Sequence, residues 1–432
     1  VHPCLPRHCA RNHPTWGART PPEYLMKVQA NWPHWVLLAV IIVGGAHLRH
    51  TYNQSSVIPE PIRADAAYYL IYAHNLIYYQ TFSRDNYPPP EPDAYWAPGY
   101  PAFLAAVILA SGEEDVTRAY EAILIAQLAL GVGTMLLCYL IAATFLPAYW
   151  SLLPTALTAL SPHLVATAYF ALTETLLCFT LLLSIYLSVK ASASRRTSIW
   201  ALAGLAFAVT YLVNPVTLFL APLVGLALWL QQANGRSKGR EHGNSLNLVI
   251  LIAPLVIAAL AWSVRSHNCV ADTGETSGDR LLTNLSSGLY ADYHAKWKAS
   301  LLEPEREIVV PGDDINSFSE FIRAFGTSLA NAPGDTVAWY AIRKPALLWD
   351  WDIVVGFGDI YIYGPAATPF QTPGYGLAIY SVMKSLHPWL LLAALFGLAV
   401  IIASASSARP ALVITYITVA YVSLVSVSYT HL

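Results

Sequence analysis

Apolar segments of membrane-spanning length recur along this chain, and they constrain its fold more than any other feature. Only 12% of the 432 residues are charged and 56% are hydrophobic, whereas a soluble domain usually carries about 25% charge. The sequence predicts an all-α polytopic membrane protein, a bundle of transmembrane helices with outer-face loops and short interfacial helices. Nine blocks are long enough, or nearly so, to cross: 33–49, 119–146, 149–168, 170–190, 199–213, 214–231, 247–264, 386–404 and 410–428.

Proline and tyrosine are abundant, with 29 and 26 copies. Such numbers suit broken membrane helices and an aromatic belt at the lipid headgroups. The formal net charge of −2 gives no overall field that would attract nucleic acid. The five cysteines show no disulfide framework or zinc-ligand spacing. No Walker-type loop or dinucleotide fingerprint is present, so a nucleotide-sugar domain is not supported.

Basic residues assign the two sides of the membrane, because cytoplasmic loops are enriched in Lys and Arg. Arg195-Arg196 lies in one such loop, and Arg236, Lys238 and Arg240 lie in the next. The apolar stretch between these loops is interrupted by a proline, Pro215. Since proline ends or kinks a helix, we expect a hairpin of two short spans there.

Counting back from Arg195 places the start of the 170–190 block on the extracytoplasmic face. Lys27, before the first block, separately places the 51–98 loop on the same face. The large 265–385 segment falls on the same face. Parity then allows only two crossings between residues 99 and 169. The short 99–111 block is therefore predicted to be interfacial or re-entrant; the alternative is that 149–168 is re-entrant, broken at its prolines.

The two ends of the chain are unusual for a membrane protein. Residues 1–25 are poorly patterned, and Met26 directly precedes the first apolar block, so we predict a non-native or disordered extension with the native start at Met26. The last apolar block stops at Ser428 with almost nothing after it. We expect that the C-terminal transmembrane region, 386–432, is truncated.

Two acids are the candidate catalytic residues. Asp65 opens the first outer loop, and Tyr69, four residues later, shares its face of a short helix. A carboxylate there could take a proton from an acceptor hydroxyl or amine, although a solvated loop acid is the alternative. Glu174 lies in the first turn of a membrane block, where acids are functional hypotheses by default. Its alternative is a boundary charge favoured by the helix dipole.

Two arginines are candidate ligands of a leaving phosphate, which needs a cation to offset its developing charge. Arg265 lies where the 247–264 block leaves the membrane, and Arg63 precedes Asp65. An ordinary interfacial arginine is the alternative for each. Arg343-Lys344, followed by Trp349, looks like a membrane-surface anchor, with donor positioning as the minor alternative. The outer-face histidines have no metal-ligand spacing.

The motifs together resemble the GT-C glycosyltransferases, nearest to the protein O-mannosyltransferases and the bacterial lipid A aminoarabinose transferases. The matches occur in the expected order over roughly residues 30–270: Asp65 with Tyr69, the Pro98-Gly99-Tyr100-Pro101 re-entry, Ser161-Pro162, Glu174 before an apolar span, the Pro215 break, and the exit from Trp262 to Arg265. The chain departs from the family pattern at Ala66, Ala97 and Asn214, where members often carry an acid, a base and an arginine.

The resemblance implies a GT-C-like bundle that moves a sugar from a polyprenyl-phosphate donor to a lipid, glycan or protein acceptor on the extracytoplasmic face, with inversion. It assigns Asp65 as general base and Glu174 as a second acid. Arg63, Tyr69, Tyr100 and Arg265 become substrate-binding residues. The two acids could share a divalent cation, but the sequence does not demand one.

The resemblance also divides the chain. It makes 26–265 the catalytic transmembrane module and 266–385 an acceptor-recognition region. The main alternative is a transporter or flippase of a lipid-linked or polar substrate, because broken helices and intramembrane acids also serve transport. No internal repeat is visible between the two halves, and the acids lie at one face rather than at the bilayer midplane. A ligase or polymerase using outer-loop arginines is a second enzymatic alternative.

Overall fold

The computed structural model describes residues 31–113, 116–194, 196–236, 245–270, 275–302, 312, 314–353, 356–403 and 410–428. In these ranges the regular structure is α-helical apart from two isolated β-bridges. The predictions for residues 1–25 and for a start at Met26 lie outside the described ranges, as do Arg195 and the 238–240 basic cluster.

Six helices are long and apolar enough to cross a membrane. They confirm the predicted class of integral, multi-pass membrane protein. These helices are α1 (Trp32–Ser55), α4 (Val116–Ala142), α7 (Glu174–Ser192), α10 (Ser245–Cys269), α16 (Tyr375–Ala403) and α17 (Pro410–Ser428).

Shorter helices complete the bundle. They are α2 (Ala64–Tyr78), α3 (Gly99–Ser111), α5 (Leu152–Leu160), α6 (Pro162–Thr167), α8 (Thr197–Val213) and α9 (Leu220–Arg236). The expected break after α8 is confirmed: Asn214 caps a single turn that begins with Pro215, through a 3.2 Å bond from the Val216 N–H to its side chain.

The 149–168 block does not form one continuous helix. It divides at Ser161-Pro162 into α5 and α6, and neither part is long enough to span a bilayer. Pro154 falls in the first turn of α5, where a missing N–H is tolerated, so only Pro162 interrupts the helix.

A buried arginine from α1 satisfies the broken end of α5. Arg49 is 2% exposed, and its guanidinium donates to the carbonyls of Thr158 and Ala159 at 3.1 and 2.9 Å. These carbonyls belong to the last turn of α5, which has no helical partners for them and attracts a cation through its dipole. Arg49 is thus a structural residue of the membrane region.

Helix α16 begins eleven residues before the predicted 386–404 block. The added part carries polar side chains that hold a loop: Tyr380 donates to both oxygens of Asp359 at 2.8 Å, and Lys384 lies 3.7 Å from one of them. A hydropathy pattern detects only the apolar part, because the first turns of the helix pair with polar groups outside it.

Five further helices lie between α10 and α16: α11 (Ser277–Ser287), α12 (Tyr293–Leu302), α13 (Phe318–Asn331), α14 (Pro333–Ala338) and α15 (Lys344–Leu348), with a π-helical turn, Trp339–Arg343, before α15. They lie on the same side of the molecule as α2, since the two β-bridges join Ala94 to Thr276 and Val57 to Ala367. We call this the loop side.

Close helix contacts hold the bundle together. Helix α8 packs on α7 and α10, and α9 packs on α10 and α17. At Gly204 a Cβ atom would come within 2.5 Å of the Leu251 carbonyl oxygen. Small residues that let backbones approach in this way are the usual contact of membrane helices.

Candidate functional site

Asp65 is presented by the first turn of α2 after an unusual backbone conformation. Ala64 has φ +47°, in the left-handed region that costs a residue with a Cβ about 1–2 kcal/mol. The extended Arg63 and this residue turn the chain so that Asp65 is at the helix start. The residue keeps exposed surface, so a substrate can reach it, although the protein atoms packed around its carboxyl group reduce the solvation of that group.

Tyr69 follows one turn later, and its buried ring lies at the centre of the cluster of side chains that we call the recess. It is 4% exposed, with its ring 4.6 Å from the Trp96 ring and 5.0 Å from the Tyr100 ring. The pKa of Tyr69 is raised by burial, lowered by Arg280, and raised by the charges of Asp65 and Glu174. Both carboxylates therefore lie around this phenol.

Glu174 begins α7, as predicted, at the far side of the same recess. One carboxylate oxygen, Oε2, is buried with no hydrogen-bond partner among the described residues. The segment before α7 is fixed by α4, where Gln127 donates to the carbonyls of Ala168 and Phe170 at 3.1 and 2.9 Å. An unpartnered buried carboxylate oxygen is free to accept a hydrogen bond from a ligand.

Arg280 supplies the positive charge of the recess. It projects from α11, whose start is fixed by a capping box between Thr276 and Asp279, and it stacks on Trp96 with 3.7 Å between the guanidinium carbon and the ring centre. Burial raises the pKa of Asp65 above its ordinary value, and Arg280 opposes that rise. The arginine therefore favours the ionised carboxylate.

A second guanidinium, that of Arg63, lies at the opposite wall. It is placed 4.9 Å from the ring of Phe357 and 4.7 Å from that of Tyr363, and its Nη2 is buried without a partner in the described part of the chain. The Tyr363 hydroxyl donates to the Arg63 carbonyl at 2.9 Å. Burial raises the pKa of Tyr363 to about 12, and the charge of Asp65 adds to that rise.

Tyr100 lies beneath the recess rather than in it. It has no exposed surface, and its hydroxyl donates to Gln127 Oε1 at 3.1 Å. Because Gln127 also holds the segment before Glu174, Tyr100 connects the Asp65 and Glu174 walls and is a positioning residue. At the neighbouring Gly99, a Cβ would come within 2.6 Å of the Leu212 carbonyl, so the Pro-Gly-Tyr motif needs glycine for close approach to α8.

Arg265 organises the loop between α2 and α3. It donates to the carbonyls of Phe82 and Asp93 and stacks on the rings of Phe82 and Trp262. The buried Asp93 accepts from the Tyr72 hydroxyl and from the Arg84 N–H. Arg265 therefore supports the wall that carries Trp96, and its guanidinium is already occupied by protein carbonyls.

Two carboxylates are the protein ligands that the recess offers to a divalent cation, and Arg280 acts on both. Water and substrate phosphate would have to complete the ligands of such an ion. No group of three or more His, Cys, Asp or Glu side chains in the described ranges is arranged to hold a metal.

The structure also brings in residues that sequence reasoning did not assign to the site, namely Arg280, Trp96 and Tyr363. Two of them come from the 266–385 region, far from Asp65 in the chain. Trp96 could have been noticed, since it lies two residues before the Pro-Gly-Tyr motif. Arg280 carries no local signal, because it is one of several arginines in that region.

Comparison with known proteins gives one family match. Residues 98–262 match the family described as dolichyl-phosphate-mannose-protein mannosyltransferase. The matched segment includes Tyr100 and Glu174 and begins after Asp65. No curated protein matches the chain.

Two solved structures from an archaeon show a low similarity to the chain. The oligosaccharyltransferase of Archaeoglobus fulgidus in its apo form is 13% identical, with a TM-score of 0.42. The oligosaccharyltransferase AglB of the same organism, in complex with an inhibitory peptide and a dolichol-phosphate, is 14% identical, also at 0.42. Each alignment covers 93% of this chain but 56% of the other, so the chain spans about half their length.

The family match confirms the resemblance that the motifs predicted. This integral membrane protein is similar to the GT-C glycosyltransferases, and its residues 98–262 match the family described as dolichyl-phosphate-mannose-protein mannosyltransferase.

Proposed function

We propose that the protein transfers a sugar from a polyprenyl-phosphate donor to an acceptor hydroxyl or amine on the extracytoplasmic face, with inversion at the sugar carbon. The observation that carries this proposal is the convergence of two carboxylates and two aromatic-held guanidiniums in one recess. The family description, which names a dolichyl-phosphate sugar, supports the donor class.

In this mechanism Asp65 is the general base. The acceptor oxygen or nitrogen attacks the anomeric carbon, the bond from that carbon to the phosphate oxygen breaks, and the acceptor proton passes to Asp65. A carboxylate whose pKa is raised by burial is a better proton acceptor at neutral pH than an ordinary one, because catalytic efficiency follows basicity near the operating pH. Solvent access at Asp65 leaves room for the acceptor.

Glu174 orients the acceptor. Its unpartnered Oε2 can accept a hydrogen bond from a second acceptor or sugar hydroxyl. Such an interaction places the nucleophile within reach of the sugar carbon, and positioning alone contributes strongly to a bimolecular transfer.

Arg280, with Arg63, offsets the charge that develops on the leaving phosphate. Each guanidinium is held by aromatic rings rather than by a carboxylate salt bridge in the described structure, so its donors remain available for phosphate oxygens. We therefore assign the phosphate role to Arg280 in preference to Arg265. The extracytoplasmic placement rests on the basic loops of the sequence.

The experiment is sugar transfer in membrane vesicles supplied with labelled polyprenyl-phosphate sugars, comparing Asp65→Asn with the unchanged chain. Asp292→Asn is the matched control, since Asp292 is exposed and paired with Lys296 at 2.8 Å. We expect transfer to fall at least about a hundredfold in the first variant, the usual contribution of a general base, and to persist in the control. Equal transfer by both variants would remove Asp65 from the chemistry.

Transport gives a different result. If the protein were a flippase, labelled lipid would change leaflet without forming a glycosylated product. Such movement, unaffected by Asp65→Asn, would favour the alternative.

A further inference from the structure

Lys344 is the most unusual cation outside the recess. It is 6% exposed, and its ammonium has no hydrogen-bond partner among the described residues. Instead the nitrogen lies over two aromatic rings, 5.4 Å from the centre of Trp339 and 4.5 Å from that of Tyr340. Burying an ammonium without an acceptor is costly, and aromatic rings offset only part of that cost.

The two rings form a fixed platform. The Trp339 indole N–H and the Tyr340 hydroxyl both donate to the carbonyl of Gly288, at 3.0 and 3.3 Å. Both aromatic residues lie in the π-helical turn that precedes α15, and such turns occur often at functional sites. The platform therefore holds the ammonium at a defined place.

The surroundings of Lys344 place it at the membrane surface. Ile342, Leu347 and Trp349 are 66%, 40% and 42% exposed, which is the surface of a segment in contact with lipid. The Trp349 carbonyl accepts from His387 at 2.9 Å, and His387 lies where the apolar part of α16 begins. Lys344, five residues before Trp349, is thus near headgroup depth.

An ordinary lysine at this depth behaves differently. Its stem lies along the apolar surface while the ammonium extends into water. The neighbouring Arg343 follows this rule: it is exposed and lies 3.4 Å from Asp335. Lys344 turns inward to the rings although no carboxylate among the described residues meets it there.

We propose that Lys344 binds the phosphate group of a membrane lipid at the loop side of the bundle, and that the aromatic platform holds its ammonium when no lipid phosphate is bound. A phosphate at headgroup depth supplies an acceptor that none of the described residues provides, and the flexible four-carbon stem can carry the ammonium from the rings to it. The phosphate can belong to a polyprenyl phosphate or to a glycerophospholipid.

The electrostatics agree with a poised cation. Burial lowers the pKa of Lys344 to about 8, so most of the ammonium is protonated at neutral pH. A bound phosphate raises that pKa again, because an adjacent opposite charge favours the ionised form. The nearest charges on its own segment are Arg343 and Asp335, which pair with each other.

The test is lipid binding by the full chain in detergent, measured by native mass spectrometry with polyprenyl monophosphate, with phosphatidylglycerol, and with the phosphate-free polyprenol. We expect Lys344→Met to weaken binding of a phosphate lipid by about tenfold or more, the loss for a charge-assisted hydrogen bond. Lys344→Gln gives a second, polar replacement should the methionine variant fold poorly. Arg343→Met is the control and should bind as the unchanged chain does.

The lipid comparison identifies the source of the phosphate. A loss confined to polyprenyl monophosphate would assign the site to a polyprenyl lipid, and a loss that includes phosphatidylglycerol would assign it to phospholipid headgroups. Unchanged binding of both phosphate lipids by folded Lys344→Met or Lys344→Gln would overturn the proposal, as would an equal loss for polyprenol. The readout does not require sugar transfer, so it is independent of the proposed activity.

Discussion

Two adjacent glycines in α1 provide a sharp test of the packing described above. A Cβ atom at Gly45 would lie 2.8 Å from the Ala159 Cβ and 2.6 Å from the Met135 sulfur, whereas a Cβ at Gly44 would meet nothing within 4 Å. We expect Gly45→Ala to destabilise the protein and Gly44→Ala to leave it unchanged or slightly more stable.

The size of the destabilisation depends on which of the atoms that contact the new Cβ can move. The Met135 side chain is flexible and can turn aside, but the Ala159 Cβ is fixed to the backbone of α5. Carbon atoms need about 3.5–4.0 Å, so α1 and α5 must separate by roughly 1 Å. The bond from Arg49 to the Ala159 carbonyl, now 2.9 Å, would then exceed hydrogen-bonding distance.

Three contributions combine at Gly45. Overpacking costs about 1–3 kcal/mol, and loss of a hydrogen bond from a charged group costs about 1.5–3 kcal/mol. Replacing glycine by alanine inside a helix stabilises the helix by about 1 kcal/mol. The net expectation is a destabilisation of about 3 kcal/mol, which for a chain of this size corresponds to a fall in Tm on the order of 5 °C.

A thiol-reactive dye can follow thermal unfolding in detergent. Cys138 and Cys178 are free and half-buried, so they report loss of packing. The exposed Cys269, and Cys4 and Cys9 outside the described ranges, are replaced by Ser in every variant to remove background labelling. Equal apparent Tm values for Gly45→Ala and Gly44→Ala would refute the packing argument. A fall for both would assign the effect to the helix itself rather than to its contact with α5.

Further predictions concern the recess and the bundle. Arg280→Gln should shift the acidic limb of the transfer pH profile to higher pH, because Arg280 holds down the raised pKa of Asp65. An unchanged acidic limb would show that Arg280 does not act on the ionisation of Asp65. Asp65→Asn should raise the apparent Tm by a few degrees at neutral pH. Ionising a carboxyl whose folded pKa is raised costs stability, so this gain should disappear as pH falls towards the ordinary value of 3.8. Arg49→Met should cost about 2–4 kcal/mol in thermal unfolding, because it strands carbonyls at the end of α5, and a silent change would contradict its structural role. Gly204→Ala should lower the Tm in the same assay, because overpacking against the Leu251 carbonyl costs about 1–3 kcal/mol of stability.

The membrane class and most helix positions follow directly from the lengths and positions of the apolar segments. The start of α7 at Glu174 and the break before Pro215 were also predictable, because acids and prolines at helix ends have local physical causes. The division of 149–168 was harder. Its outcome depends on Arg49, more than a hundred residues away, which compensates the carbonyls freed at the break.

The recess could be predicted only in part. Asp65, Tyr69 and Glu174 were found because they lie in motifs that resemble a family, and the structure brings them together. Arg280 and Tyr363 could not be placed, since their positions depend on the path of the loop side and not on any local pattern. Arg265 and Tyr100 lie in motifs that suggested substrate binding, but their hydrogen bonds are made to other groups of the protein.

The origin of the recess residues has a consequence for biogenesis. Asp65 and Glu174 are synthesised and inserted long before Arg280 and Tyr363 emerge from the ribosome. During that interval the nascent protein carries two acids without the guanidinium that later acts on them. The site is therefore completed only after Arg280 and Tyr363 have been synthesised, so a ribosome stalled before α11 would expose a recess unable to carry out the proposed transfer.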